Sequence, residues 1–184
     1  VLLAALAAAG LVAAIVVILA AVLTRSGSGQ GPLEVKIRGR LGIGQPAAVG
    51  QAISASGPLV VQNTGDQALV LDRVELVGLR SGIYRGAYVL PWPPNKTPFS
   101  GALSYHVPRN GRAMPGVTVA PHALAWIVIG LTARRGRHQW TRVDIVYHDR
   151  DATYRRRAAL SGAVCGSPER YRAPCDPPGF AEPR

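Results

Sequence analysis

The side chains able to do chemistry are few: two cysteines, four histidines, ten carboxylates and a surplus of arginine. Cys165 and Cys175 enclose GSPERYRAP, a stretch of turn-forming and polar residues. A disulfide closing so short a loop suits a compartment outside the cytoplasm. Free thiols and a metal pair are the alternatives. A zinc site would need two more ligands at close spacing, and neither Cys-x-x-Cys nor His-x-x-x-His occurs. The disulfide is the expectation. His106, His122, His138 and His148 are scattered, with no His-Glu-x-x-His among them. His148 with Asp149 and Asp151 offers a mixed nitrogen and oxygen ligand set, but a polar turn accounts for the same residues. Copper would draw on methionine too, and Met114 stands alone.

Nucleophilic catalysis has no better support. No Gly-x-Ser-x-Gly elbow occurs, and Ser26-Gly27-Ser28 lies in a linker. Gly27 and Gly29, or Gly42 and Gly44, lack the strand-to-helix context of a nucleotide fold. No catalytic, cofactor-binding or metal residue is assigned, and the chain is not expected to be an enzyme. The alternative is a ligand-binding or catalytic site assembled only in three dimensions.

The basic residues are the strongest remaining signal. Lys and Arg number 21 against 10 acids, a net charge of +11 and a pI near 10.8. Such a balance suits an anionic neighbour: lipid headgroups, an anionic envelope polymer or an acidic protein. Arg134, Arg135, Arg137 and Arg142 cluster at one end of a hairpin, and Arg155, Arg156 and Arg157 lie on its return strand. Single-stranded nucleic acid would need aromatics interleaved with these arginines, and Tyr154 is the only close one. Nucleic acid is not expected as a partner.

These groups must be carried by two kinds of sequence. Val1–Leu23 (VLLAALAAAGLVAAIVVILAAVL) contains no charge. As a helix it is about 35 Å long at roughly 1.5 Å per residue, enough to cross a hydrocarbon core of about 30 Å. A signal peptide would show a charged start and a small-x-small cleavage site, and Ala20-Ala21-Val22 matches poorly. An uncleaved single-pass anchor in a lipid bilayer is expected, and further residues can precede Val1. Arg25, Lys36, Arg38 and Arg40 follow it, which on the positive-inside rule favours a cytoplasmic domain. Large domains translocate largely regardless of charge. The cysteine pair and the strand-rich domain favour the outside. The expected division is residues 1–24 transmembrane helix, 25–32 Gly/Ser linker, 33–165 β-sandwich and 166–184 irregular tail.

Within the domain, alternation predicts strands over Leu33–Arg40, Pro58–Gln62, Leu69–Leu79, Ile83–Leu90, Trp140–Tyr147 and Ala152–Val164. A slip near Leu71-Asp72 predicts a bulge. Asn63-Thr64-Gly65-Asp66 reads as a turn, Arg134–His138 as a basic turn and Val117–Val119 as a short edge strand. Ala123–Ala133 is apolar on both faces, the mark of a central strand. The segment LGIGQPAAVGQAISASG reads as a loop with a weak strand. About seven strands and no amphipathic helix predict an immunoglobulin-like sandwich.

The pieces PLVVQNTGDQALVLDRVELVGL, WIVIGLTA and TRVDIVYHDRDATYRRRAAL, with a proline-rich middle, resemble small membrane-anchored, immunoglobulin-like proteins of actinobacteria. The resemblance covers Pro58 to Cys165 and implies an extracytoplasmic module, with no activity attached. Pro91–Pro121 breaks the strand rhythm with seven prolines. A connection of this length is often functional. Trp92, Phe99 and Tyr105 are its candidate anchors for a membrane or envelope protein partner, and Lys96, Arg109 and Arg112 its steering charges. The competing reading is that these aromatics fold back to cap the sandwich. The expected role is an interaction module, an accessory subunit of a membrane or envelope complex being its specific form.

Overall fold

Leu69, Leu71 and Val74 are buried and Arg73 is exposed, which is how a half-covered strand reads. Repeated along the chain, that pattern gives an all-β protein. The computed structural model describes residues 31–37, 41–55, 59–80, 82–91, 111–167 and 175. Among the described residues there is no helix, and hence none able to cross a membrane. The expected anchor, and the expected linker as far as Gln30, lie outside them; the last two linker residues, Gly31 and Pro32, form a turn in which the Pro32 carbonyl accepts from Thr64 N–H at 2.8 Å.

In chain order the strands are β1 (Leu33–Val35), β2 (Leu41–Ala48), β3 (Ala52–Ala55), β4 (Val60–Asn63), β5 (Leu69–Val77), β6 (Tyr84–Pro91), β7 (Arg112–Ala113), β8 (Val117–Val119), β9 (Leu124–Thr132), β10 (Gly136–Trp140), β11 (Arg142–His148), β12 (Thr153–Ala158) and β13 (Leu160–Ser167). The first layer is one sheet, ordered β1-β4-β9-β6-β7, with β3 also on β9. The second layer is two smaller sheets, β12-β11-β5-β8 and β10-β13-β2. Ile127, Ile129 and Leu131 of the first layer share one core with Leu71, Val143 and Ile145 and with Trp140, Leu160 and Val164 of the other two. This is a β-sandwich, with more strands than the expected seven.

The expected bulge is present. Arg73 pairs with Val146 and Leu71 with Tyr147, which leaves Asp72 between them without a ladder partner. The central strand is β9, paired with β3, β4 and β6. The edge strand Val117–Val119 is β8. The Asn63 turn is held by its own side chain: the buried amide donates to the Gln67 carbonyl at 2.7 Å, and Oδ1 accepts from Gly65 N–H at 3.0 Å.

Two expectations are corrected. Arg134–His138 is not simply a turn, because Gly136–Trp140 pairs antiparallel with β13. LGIGQPAAVGQAISASG holds two strands rather than one weak strand: β3, and β2, which runs parallel to β13 from Leu41↔Leu160 to Ala48↔Ser167. The chain from β10 to β13 is one long hairpin with a defect. Val143 faces Ala158 and Trp140 faces Gly162, so Thr141 and Arg142 stand opposite three residues, Ala159, Leu160 and Ser161. The extra residue bends the hairpin and divides the second layer where the two small sheets meet.

Candidate functional site

The division of the second layer opens a cleft. Strand β11 stays with β5 until Thr141, whose N–H donates to the Val77 carbonyl at 2.9 Å. Beyond that bond the chains part. The path of β5 turns away at Gly78, whose φ of +89° suits glycine, while β10 departs to pair with β13. The open space between them, about 660 Å³, is lined by Gly78, Arg80, Arg137, His138 and Gln139. His138 Nε2 lies 3.3 Å from the Arg135 carbonyl oxygen. Arg134 packs its guanidinium against Gly82, where an added Cβ would sit 3.2 Å from Cζ. The stretches Gly78–Ala87 and Arg134–Trp140 contain no acid. Arg80, Arg134, Arg135 and Arg137 are all exposed.

Three arginines of the neighbouring small sheet are differently used. Arg73 Nε lies 2.8 Å from Glu75, and Arg155 Nη1 lies 2.6 Å from Glu75 and 3.3 Å from Asp144. Arg142 Nε lies 3.0 Å from Asp144, whose side chain is 1% exposed. The hydrogen bond from Arg73, aided by Arg155 and against a desolvation cost, holds the Glu75 carboxyl below its ordinary pKa. A carboxylate kept ionised in this way is not poised as a general acid. The network cross-links β5, β11 and β12 and serves the fold.

Strand β10 is rooted by Trp140, fully buried against Gly162 of β13. The indole Nε1 finds no acceptor among the described residues. On the outer side of β13 the expected disulfide is present: Cys165 and Cys175 are bonded with Cα atoms 5.9 Å apart. Ala163, Cys165 and Cys175 form a small buried cluster of their own. The polar turn after β11 is built by Asp149, whose Oδ1 accepts from Asp151 and Ala152 N–H at 2.8 Å each. Its Oδ2 accepts the Tyr154 hydroxyl at 2.9 Å. His148 turns elsewhere, to Asp72 at 2.9 Å. Among the described residues no three His, Cys, Asp or Glu gather as a metal site.

No family model and no curated relative matches the sequence. Among solved structures, the ASH/PapD-like domain of human CEP192 (PapD-like domain 7) aligns at 15% identity, over 77% of this chain and 89% of that chain, with a TM-score of 0.40.

Of the six candidate contact residues, Arg112 is placed, exposed on β7 opposite Val89. Trp92, Lys96, Phe99, Tyr105 and Arg109 lie outside the described residues. Of the arginines clustered at 134–142, Arg137 lines the cleft and Arg142 pairs with Asp144. Arg80, Gln139 and the role of His138 were missed, because nothing local links Arg80 to β10.

Proposed function

We propose that the chain is a non-catalytic, immunoglobulin-like interaction module, held outside a cell membrane by Val1–Leu23, and that it recognises an anionic partner through the cleft between β5 and β10. One observation carries this reading. Arg73, Arg142 and Arg155 of the neighbouring sheet are paired with Glu75 and Asp144, whereas among the described residues that line the cleft, where Arg80 is exposed, there is no carboxylate. An electropositive recess of that kind concentrates acidic ligands and speeds their encounter. The partner is an acidic envelope protein, with an anionic polymer or lipid headgroups as the other sources of charge.

The test is capture of partners by the intact chain in mild detergent, with Arg80→Glu and Arg137→Glu, both at cleft residues, beside the wild type. Loss of capture in both variants, and in the wild type at high salt, supports the reading. Unchanged capture by both variants overturns it. Recovery of a soluble mature chain starting near Thr24 removes the anchor from the reading.

A second reading places the contact in Pro91–Pro121. The chain leaves β6 and returns at β7 beside a partly bare outer face of the first layer. There Tyr84 is 39% and Leu124 36% exposed, and Tyr88, Leu90 and Trp126 are half-buried. Trp92→Ala and Phe99→Ala abolish capture at unchanged thermal stability on this reading. If they lower the melting temperature and capture persists, the segment is only a lid.

A further inference from the structure

We infer that the outer face of the first layer holds a second binding site, separate from the cleft, which takes an extended polysaccharide bearing acidic groups. Strand β6 supplies most of it. Ala87 and Val89 are buried in the core, so strict alternation would carry Arg85 inward as well. The ladder slips instead between Tyr84 and Gly86, which leaves Arg85 without a ladder partner. Gly86 takes a φ of +125°, a conformation open to glycine. The slip turns Arg85 outward, where its Nε donates to Thr132 Oγ1 at 2.6 Å. Arg85 is exposed. Bulges recur beside functional sites because they re-aim a side chain. This one sets a cation on a face that strict alternation would have denied it.

Aromatic rings flank that cation. Tyr84 is 39% exposed, and Tyr88 is half-buried. Their ladder partners, Leu131 and Val128, are three residues apart on β9, about 10 Å along the strand. The two tyrosines sense each other: burial first, and then Tyr88, push the Tyr84 pKa up to about 12. Between them Gly86 and Gly130 pair side by side. A Cβ on Gly130 would stand 3.1 Å from the Tyr88 ring and 3.5 Å from Arg85 Cβ, so ring and arginine stem close over that glycine. A Cβ on Gly86 would meet no described atom within 4 Å. Strand glycines of this kind mark places where a ligand can approach the backbone closely.

These groups define the occupant. Tyrosine offers a flat apolar face with a hydroxyl at its rim, which matches the C–H face and the hydroxyls of a sugar ring. Two such rings with bare backbone between them match a chain of sugars rather than a single one. Arg85 holds Thr132 through Nε, and the other two guanidinium nitrogens form a fork for a carboxylate or phosphate. An apolar protein surface laid here would desolvate that guanidinium without pairing it, at a cost. Single-stranded nucleic acid would use the rings, but it brings a charge with every nucleotide, and Arg85 is a single cation. The Cys165–Cys175 disulfide suits an oxidising compartment outside the cytoplasm, where acidic polysaccharides are met.

The test uses the full chain in non-ionic detergent micelles and two fluorescent acidic probes, a hyaluronan hexasaccharide and a hexagalacturonate, read by anisotropy. Three further probes accompany them: a neutral N-acetylglucosamine hexamer, hexaglutamate and hexathymidylate. The expected result is binding of an acidic saccharide at least about tenfold tighter than of any other probe. Tyr84→Ala and Arg85→Gln should each weaken it by about tenfold or more, and Arg80→Glu, at the cleft, should leave it unchanged. The probe series leaves the protein untouched, so its outcome does not depend on a variant folding. If neither acidic saccharide binds, or if hexaglutamate or hexathymidylate binds as tightly, the inference is wrong. Wild-type affinity in either Tyr84→Ala or Arg85→Gln also overturns it. If Arg80→Glu alone abolishes saccharide binding, the ligand sits in the cleft, and the outer-face site falls while the cleft reading stands.

Discussion

Replacing Gly162 with alanine should unseat β10. An added Cβ there would lie inside 3.0 Å of three atoms of the Trp140 indole. The ring has no exposed route of escape, because it is fully buried in the shared core. Either the ring leaves the core or β10 lifts away from β13. Overpacking of this sort costs about 1–3 kcal/mol, and loss of a buried tryptophan's packing about 3–5 kcal/mol. Partial relief by both routes gives about 2–4 kcal/mol, or roughly 8–15 °C in melting temperature for a domain of this size. Thermal unfolding followed by near-ultraviolet circular dichroism reports the tryptophan environment directly. Trp140→Leu removes the obstacle, so the double variant should be less destabilised than the sum of its parts by about 1–2 kcal/mol. A melting temperature for Gly162→Ala within about 2 °C of wild type, or strictly additive variants, refutes the reasoning.

Removing the disulfide with Cys165→Ser and Cys175→Ser should cost on the order of 2–3 kcal/mol, the entropic value for so short a loop; alkylation of both thiols without prior reduction would show that the bond does not form in the protein. Glu75 has a folded pKa below its ordinary 4.5, so its stabilisation is full above that value and disappears as pH falls through the folded pKa. Melting temperature should therefore drop in acid below about pH 4.5 with a shallower slope in Glu75→Gln, and equal slopes would contradict the network's role. Asp144→Ala should lower stability by about 1–3 kcal/mol, less than a fully buried pair because Arg142 and Arg155 keep access to water. The readout is the urea midpoint at unchanged m value, and a change under about 0.5 kcal/mol would place Asp144 outside the stabilising network.

Strand β9 was legible because its apolar run is continuous, and continuity follows from burial on both faces. The Asp72 bulge was legible because one extra residue inverts the alternation on either side of it. The cysteine pair was legible because a short loop leaves few geometries. Strand β10 was not, because Gly-Arg-His-Gln-Trp has one apolar residue and its pairing is decided by β13. Strand β2 was hidden by Pro46 and two glycines, residues that argue against a strand locally and are overridden by its distant partner. The cleft was half legible: Arg137 belongs to a visible run of arginines, but nothing local in the sequence brings Arg80 to the same opening.

The parallel pairing of β2 with β13 sets a timetable for synthesis. The two strands are about 120 residues apart, and a ribosome adding roughly 5–20 residues per second needs about 6–24 s to cover that distance. For most of that interval β2 has emerged from the ribosome and its partner has not been made. Ile43 and Ala47, buried in the finished domain, are then open to water. Among the described residues, the last strand to be translated is the one that pairs with both β2 and β10. A chain that stalls before Leu160 lacks the centre of that sheet and should be a substrate for chaperones and proteases, whatever the quality of the strands already made.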